Sequence, residues 1–213
     1  MQYPNPPYRN RTHAGEVLAH HLNAYAHRAD TLVLGLARGG LPVAQPIAQA
    51  LGLPLDVLLV RKLGVPGREE LAFGAVAAGV RVFVDEVMER LILPERVIEE
   101  TTQRELVELA RREALYRGTR APLAVEGRTL ILVDDGLATG ASLRAGVIAL
   151  RQHRPARIVV AVPVAAESSV EAIAALADDF VCPLVVLLRF GIGAFYADFT
   201  QVSDEEVQTI LQK

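Results

Sequence analysis

Residues 130–142 read Leu-Ile-Leu-Val-Asp-Asp-Gly-Leu-Ala-Thr-Gly-Ala-Ser, and no other stretch constrains the fold so strongly. Four consecutive apolar residues suit a strand buried on both faces, as in a parallel sheet. The run ends on two adjacent acids, Asp134 and Asp135. A short loop of small residues follows, and then an apolar-periodic helix. Ligands of open α/β sheets sit just past the carboxyl ends of such strands. Gly136, Thr139, Gly140 and Ala141 let the backbone approach a ligand closely. A helix beginning near Ala141 aims unpaired N–H groups at the same point, which favours an anion. Thr139 and Ser142 add hydroxyl donors. The segment therefore reads as an anion cradle with two carboxylates at its rim. A side chain at Gly140 is expected to fill that cradle.

Two other readings of the acids stand beside this one. An acid after a strand is often a helix cap, and an adjacent pair also suits the metal site of a phosphoryl-transfer protein. The chain has no G-x-x-x-x-G-K-[ST] phosphate loop and no G-x-G-x-x-G after its first strand. Both absences argue against the common nucleotide-binding loops.

Periodicity supplies the surrounding fold. It predicts a helix over 10–28, strands over 32–36 and 55–60, and between them a helix over 41–51 with Pro42 in its first turn. These form a β–α–β unit. Residues 64–70 read as a loop by composition. A hairpin over 71–76 and 80–84 and a long helix over 93–116 follow, with Glu100–Arg104 and Glu108–Arg112 as i,i+4 pairs. Strands over 129–133 and 158–162, a capping box at Ser168-Ser-Val-Glu171, a buried strand over 181–188 interrupted by Pro183 and a short helix capped by Ser203 complete the pattern. Strands alternating with helices imply an α/β fold: an open, mostly parallel sheet covered by helices on both faces. The expected organisation is a single domain over 1–213. Residues 64–120 form a flexible-loop, hairpin and long-helix insertion, either a lid or a surface for a partner subunit. Residues 189–213 with 1–12 form a hood.

Composition narrows the setting. With 51% apolar residues the chain is a folded globular protein. A net charge of -3 offers no electrostatic footprint for nucleic acid. No apolar run reaches membrane-spanning length, and residues 1–7 lack the features of a signal peptide. Cys182, the one cysteine, is expected to be buried. These features point to the cytoplasm. Of the 22 basic residues only Lys62 and Lys213 are Lys, which draws attention to Lys62.

Val133-Asp-Asp-Gly-Leu-Ala-Thr-Gly-Ala-Ser142 resembles the 5-phosphoribosyl-1-pyrophosphate (PRPP) signature of type I phosphoribosyltransferases, nearest to its adenine-type form. The resemblance implies that Asp134 and Asp135 bind the ribose hydroxyls. It gives Leu137, Ala138, Thr139, Gly140, Ala141 and Ser142 the 5-phosphate. Leu36-Ala-Arg-Gly-Gly40 is similar to the family's pyrophosphate loop, which assigns Ala37, Arg38, Gly39 and Gly40 to pyrophosphate and puts a cis peptide at Ala37–Arg38. Val60-Arg-Lys-Leu-Gly-Val-Pro-Gly67 resembles an Arg-Lys pair leading into a mobile loop. By that likeness Arg61 and Lys62 contact pyrophosphate, although Arg61 also reads as a surface ion pair. Phe190 to Phe199 resembles the acceptor-capping hood of purine-type members. This implies acceptor stacking by Phe195 or Tyr196 and a metal role for Asp198, with Tyr3, Tyr8 and Arg9 to Arg11 helping to build the hood. Hypoxanthine-type members carry a proton-handling Asp where this chain has Ala138.

The implied activity is Mg2+-dependent transfer of the 5-phosphoribosyl group from PRPP to a nitrogenous base, with Asp134, Asp135, Arg38 and Lys62 as the catalytic set. The implied partners are PRPP and a small base, with no nucleic acid or membrane, in a homo-oligomer. The alternative is a non-catalytic PRPP- or nucleotide-sensing regulator of the same fold. A phosphatase or kinase using the acid pair is a third reading.

Overall fold

The computed structural model describes residues 6–77, 79–83, 85–90, 92–121 and 124–212. Its centre is a five-stranded, all-parallel sheet in the order β2-β1-β6-β7-β9. The strands are β1 (Thr31–Leu36), β2 (Leu55–Leu58), β6 (Thr129–Val133), β7 (Arg157–Ala161) and β9 (Asp179–Val181). Every residue of β1 and β6 is buried, as expected where both faces are covered. Alternate side chains explain the two layers. Val33, Ile131, Val133 and Val159 pack with α1 (Arg11–His21) and α2 (Gly40–Leu51). Leu32, Leu34, Leu130, Leu132 and Val160 pack with α5 (Ala141–Gln152) and with Ile173 of α6 (Glu167–Ala174). The α/β architecture expected from the sequence is therefore present.

Three regions depart from the sequence reading. Residues 64–70 are not an irregular loop. They lie in a hairpin of β3 (Val60–Val65) and β4 (Arg68–Ala77), which β5 (Val80–Phe83) extends into a three-stranded antiparallel sheet. Glycine at the tight turn, with φ 78° at Gly67, makes the reversal possible. This sheet does not stand off the body: Ala77 and Val82 pack on Ala149 of α5. After it come α3 (Asp85–Arg90), which the pattern did not reveal, and α4 (Glu95–Arg117). Glu108 pairs with Arg112 as expected at 2.8 Å, but Arg104 turns to Glu105 rather than Glu100.

The strand expected over 181–188 splits at Pro183. Proline cannot donate to a ladder, so β9 ends at Val181. The chain then leaves for a two-stranded parallel sheet of β8 (Val164–Ala166) and β10 (Leu184–Val186). Val185 and Leu187 are exposed rather than buried, and Cys182 is only partly covered.

In the region expected to form a hood, β8, β10, a 3-10 turn over Ile192–Phe195 and the segment at Tyr8, which bridges to Tyr196, pack together. The last helix, α7 (Asp204–Leu211), is not part of this cluster: Val207, Ile210 and Leu211 pack with Tyr116 and Leu109 of α4. Ser203 caps α7 as expected, accepting from Glu206 N at 3.1 Å. The capping box at Ser168 does not form. Helix α6 begins one residue earlier, and Ser169 Oγ donates to Ala138 O at 2.5 Å. Tyr3 lies outside the described residues.

Candidate functional site

From β1 the chain crosses to β2 on one side, whereas β6 leads to β7 on the other. Such a switch in strand order leaves a crevice between the loops that follow the two strands. Those loops are 37–40 and 134–140, the two segments singled out by sequence. They are in contact. A methyl group on Gly39 would overlap Asp135 Oδ2, and one on Gly40 would overlap Val133 O. Glycine at both positions lets the two backbones meet. The Ala37–Arg38 peptide is cis, as the family resemblance implied.

The loop after β6 encloses a hollow of about 140 Å3 lined by Asp134, Gly136, Ala138, Thr139, Gly140, Ala141, Ser142 and Leu143. The first amides of α5 lack intrahelical acceptors and favour an anion there. Two expectations need correcting. Leu137 is fully buried, and its amide donates to Val164 O at 2.9 Å, so it cannot serve the phosphate. Gly140 has φ +76°, and a Cβ there would meet Leu137 and Ile173 rather than the hollow. What requires glycine is the left-handed backbone.

The acids divide their roles. Asp134 lines the hollow, and its Oδ1 accepts from Asp135 N at 2.9 Å. Burial, followed by the charge of Asp135, pushes its pKa well above the ordinary carboxylate value. Asp135 turns toward α1, where Arg11 Nε donates to its Oδ2 at 2.8 Å. Burial raises this pKa too, against the opposing charge and hydrogen bond of Arg11. The Tyr196 hydroxyl donates to Asp135 O at 2.6 Å.

Arg38 Nη1 lies 3.6 Å from Asp204 Oδ1. Arg61 is committed to Glu105 of α4 at 2.6 Å, the ion-pair reading that the sequence left open. Lys62 is exposed on β3. Arg61, Lys62, Arg104, Glu105 and Ser142 line a second hollow of about 360 Å3, so β3 and the cradle share Ser142 as a wall. The segment over 134–142 therefore adjoins both the loop over 37–40 and the start of β3.

The acceptor residues expected in the hood are not displayed. Phe195 and Tyr196 are 3% and 0% exposed. Tyr196 packs between Tyr8 and Phe199, at ring distances of 5.4 and 4.9 Å. Both aromatics close the hood's own core, and neither offers a face to a base. Asp198 is exposed and accepts from Thr200 N and Oγ1. It lines a separate hollow with Arg11, Thr12 and Gln201, not the cradle. Among the described residues no cluster of three metal-ligating side chains occurs, and no helix is long and apolar enough to cross a membrane. Sequence reasoning missed Asp204, Glu105 and the specific part of Arg11. The one available signal was an arginine in the first turn of a helix, where the dipole disfavours a cation.

Several known proteins are similar to this chain. The family model for the phosphoribosyl transferase domain matches residues 9–184. A Mycobacterium tuberculosis protein with a provisional phosphoribosyl transferase name is 42% identical over 207 residues, 97% of this chain. This chain spans only 46% of that relative's length. A bifunctional PyrR protein of Roseiflexus is 36% identical over 123 residues, covering 56% of this chain and 62% of the relative. A Thermus thermophilus crystal structure superposes with a TM-score of 0.83 at 40% identity, covering 99% of this chain and 98% of that one.

Proposed function

This chain belongs to the phosphoribosyltransferase family, and from that premise we propose that it transfers the 5-phosphoribosyl group of PRPP to a nitrogen of a purine or pyrimidine base, releasing pyrophosphate. The observation carrying this reading is the junction at the β1/β6 switch, where the backbone at Gly39 and Gly40 abuts Asp135 and Val133 beside the cradle hollow.

The first amides of α5, with Thr139 and Ser142, bind the 5-phosphate. Asp134 and Asp135 accept hydrogen bonds from the ribose hydroxyls and add negative potential beside the carbon that becomes cationic. Arg38 and Lys62 neutralise the leaving pyrophosphate. The C1–O bond to pyrophosphate breaks as the acceptor nitrogen bonds C1 from the opposite face, with inversion. The acceptor's proton passes to solvent, since Ala138 has no group to receive it. Positioning and electrostatics supply the acceleration. At the cradle the available donors are the carboxylate oxygens of Asp134 and Asp135, a hard-oxygen set that suits Mg2+, whereas Asp198 lies in a separate hollow. Asp134 and Asp135 would hold the ion together with the substrate, and it would supply positive charge to the leaving pyrophosphate.

The test is a pyrophosphate-release assay with PRPP, Mg2+ and a panel of bases. Release with one base supports the enzyme. Arg38→Ala and Asp135→Asn then lower turnover by about 10²–10³-fold. Full activity in both variants refutes the site. A sensing role is favoured by one observation, the engagement of Arg61 by Glu105 and Arg38 by Asp204. Tight PRPP binding without turnover on any base would select it.

A further inference from the structure

Arg11 opens α1, with Asn10 as the N-cap. A cation in the first turn opposes the helix dipole, so the helix itself gains nothing from an arginine here. The side chain is only 11% exposed and is held at three points. Nε donates to Asp135 Oδ2 at 2.8 Å, Nη1 donates to Thr200 O at 2.7 Å, and the guanidinium lies 3.7 Å over the Phe199 ring. Asp135 is 18% exposed and stands beside a second half-buried acid, Asp134.

We propose that Arg11 is a positioning residue for ribose recognition: it aims the Asp135 carboxylate at the sugar hydroxyls and makes the grip on the sugar depend on the hood. This rests on the assignment of Asp135 to ribose. Arg11 and the close approach of Gly39 both engage Oδ2. Because Arg11 is bonded to Oδ2, Oδ1 is the oxygen that accepts from the ligand. Without Arg11 the two acids repel across a poorly solvated space, and the Asp135 carboxylate turns away from the sugar. A misaimed carboxylate loses its charge-assisted hydrogen bonds to the sugar, whereas the amides of α5 are untouched. Thr200 and Phe199 belong to the tail that completes the hood, so a shift of that tail moves the guanidinium and, through it, Asp135.

The probes are ribose 5-phosphate and inorganic phosphate, titrated calorimetrically into the full chain. Arg11→Gln should weaken ribose 5-phosphate by about 10–100-fold, the scale of a charge-assisted hydrogen bond, and change inorganic phosphate by less than about twofold. Arg11→Lys should recover part of the loss. In an Asp135→Asn background the Arg11→Gln effect should vanish, because the two act as one unit. Phe199→Leu removes the stacking face but keeps the charge, and should cost about threefold for the sugar ligand alone; it carries the test if Arg11→Gln fails to fold. Equal losses for both probes, an undiminished effect in the Asp135→Asn background, or unchanged affinity overturns the proposal. Wild-type protein that binds neither probe sinks the proposed function as well. Selective wild-type binding with an unaffected Arg11→Gln variant sinks this inference alone.

Discussion

Arg38 Nη1 and Asp204 Oδ1 face each other across 3.6 Å, tying the turn after β1 to the last helix of the chain. The same oxygen accepts from the Tyr116 hydroxyl at 2.5 Å, and Gln208 Nε2 donates to Leu115 O at 2.7 Å. The end of α4 therefore holds α7, and α7 presents a carboxylate to Arg38. Burial and the bond to Asp204 push the Tyr116 pKa up to about 12, so it remains a donor across the neutral range. Tyr116→Phe keeps the ring's packing and deletes this bond. It should cost about 1 kcal/mol and lower Tm by roughly 2–4 °C for a chain of this size. An unchanged calorimetric Tm would show that the bond contributes nothing net.

Asp134 gives a pH signature. Its folded-state pKa is raised, first by burial and then by Asp135. An acid with a raised folded pKa is best tolerated when protonated. Its contribution is most favourable below the unfolded value and declines as pH rises through the folded one. At neutral pH the unliganded protein carries that penalty. Asp134→Asn should therefore raise Tm at pH 7 while weakening ribose 5-phosphate binding, and the gain in Tm should shrink as pH falls toward 4. A variant less stable than wild type at pH 7 would contradict this assignment.

Asp56 and Arg117 form a second linkage, distant from the cradle. Arg117 Nη1 lies 2.5 and 2.6 Å from the two carboxylate oxygens, and Nη2 donates to Val57 O at 2.8 Å. The side chains are 13% and 11% exposed. Removing one partner strands a poorly solvated charge. Arg117→Met should destabilise the protein by about 3–5 kcal/mol, read as a lower urea midpoint. The paired change Asp56→Leu with Arg117→Met should recover much of the loss. A small effect of the single change would mean that water reaches Asp56.

Gly140→Ala separates backbone strain from blockage of the hollow. With φ +76° any side chain costs about 1–2 kcal/mol, and the new methyl would press on Leu137 and Ile173. The variant should melt lower, yet bind inorganic phosphate within about threefold of wild type once folded. Abolished binding in a folded variant would restore the view that the side chain fills the cradle.

The two loops at the strand ends were legible because their chemistry is local. The run Leu130 to Val133 ending in two acids, and the glycines at 39, 40 and 140, express burial and backbone requirements that consecutive residues record. The central strands were legible for the same reason, since near-continuous apolar runs along β1 and β6 encode both covered faces. Hood and insertion were less so. Phe195 and Tyr196 carry the composition of a stacking platform, and only their packing against Tyr8, Ile192 and Phe199 turns them inward. Pro183 showed that a strand breaks, but not that β10 would pair with β8 instead of continuing the central sheet.

By itself the sequence determined the layered α/β class, the buried central strands and the placing of an anion cradle and a glycine turn at strand ends, because periodicity, glycine freedom and helix-end amides act over a few residues. Only the tertiary structure decided that Arg11 meets Asp135, that Asp204 meets Arg38 and that Glu105 takes Arg61. Those pairings join elements far apart in the chain, and which of several arginines reaches which acid depends on how helices pack, not on any local pattern.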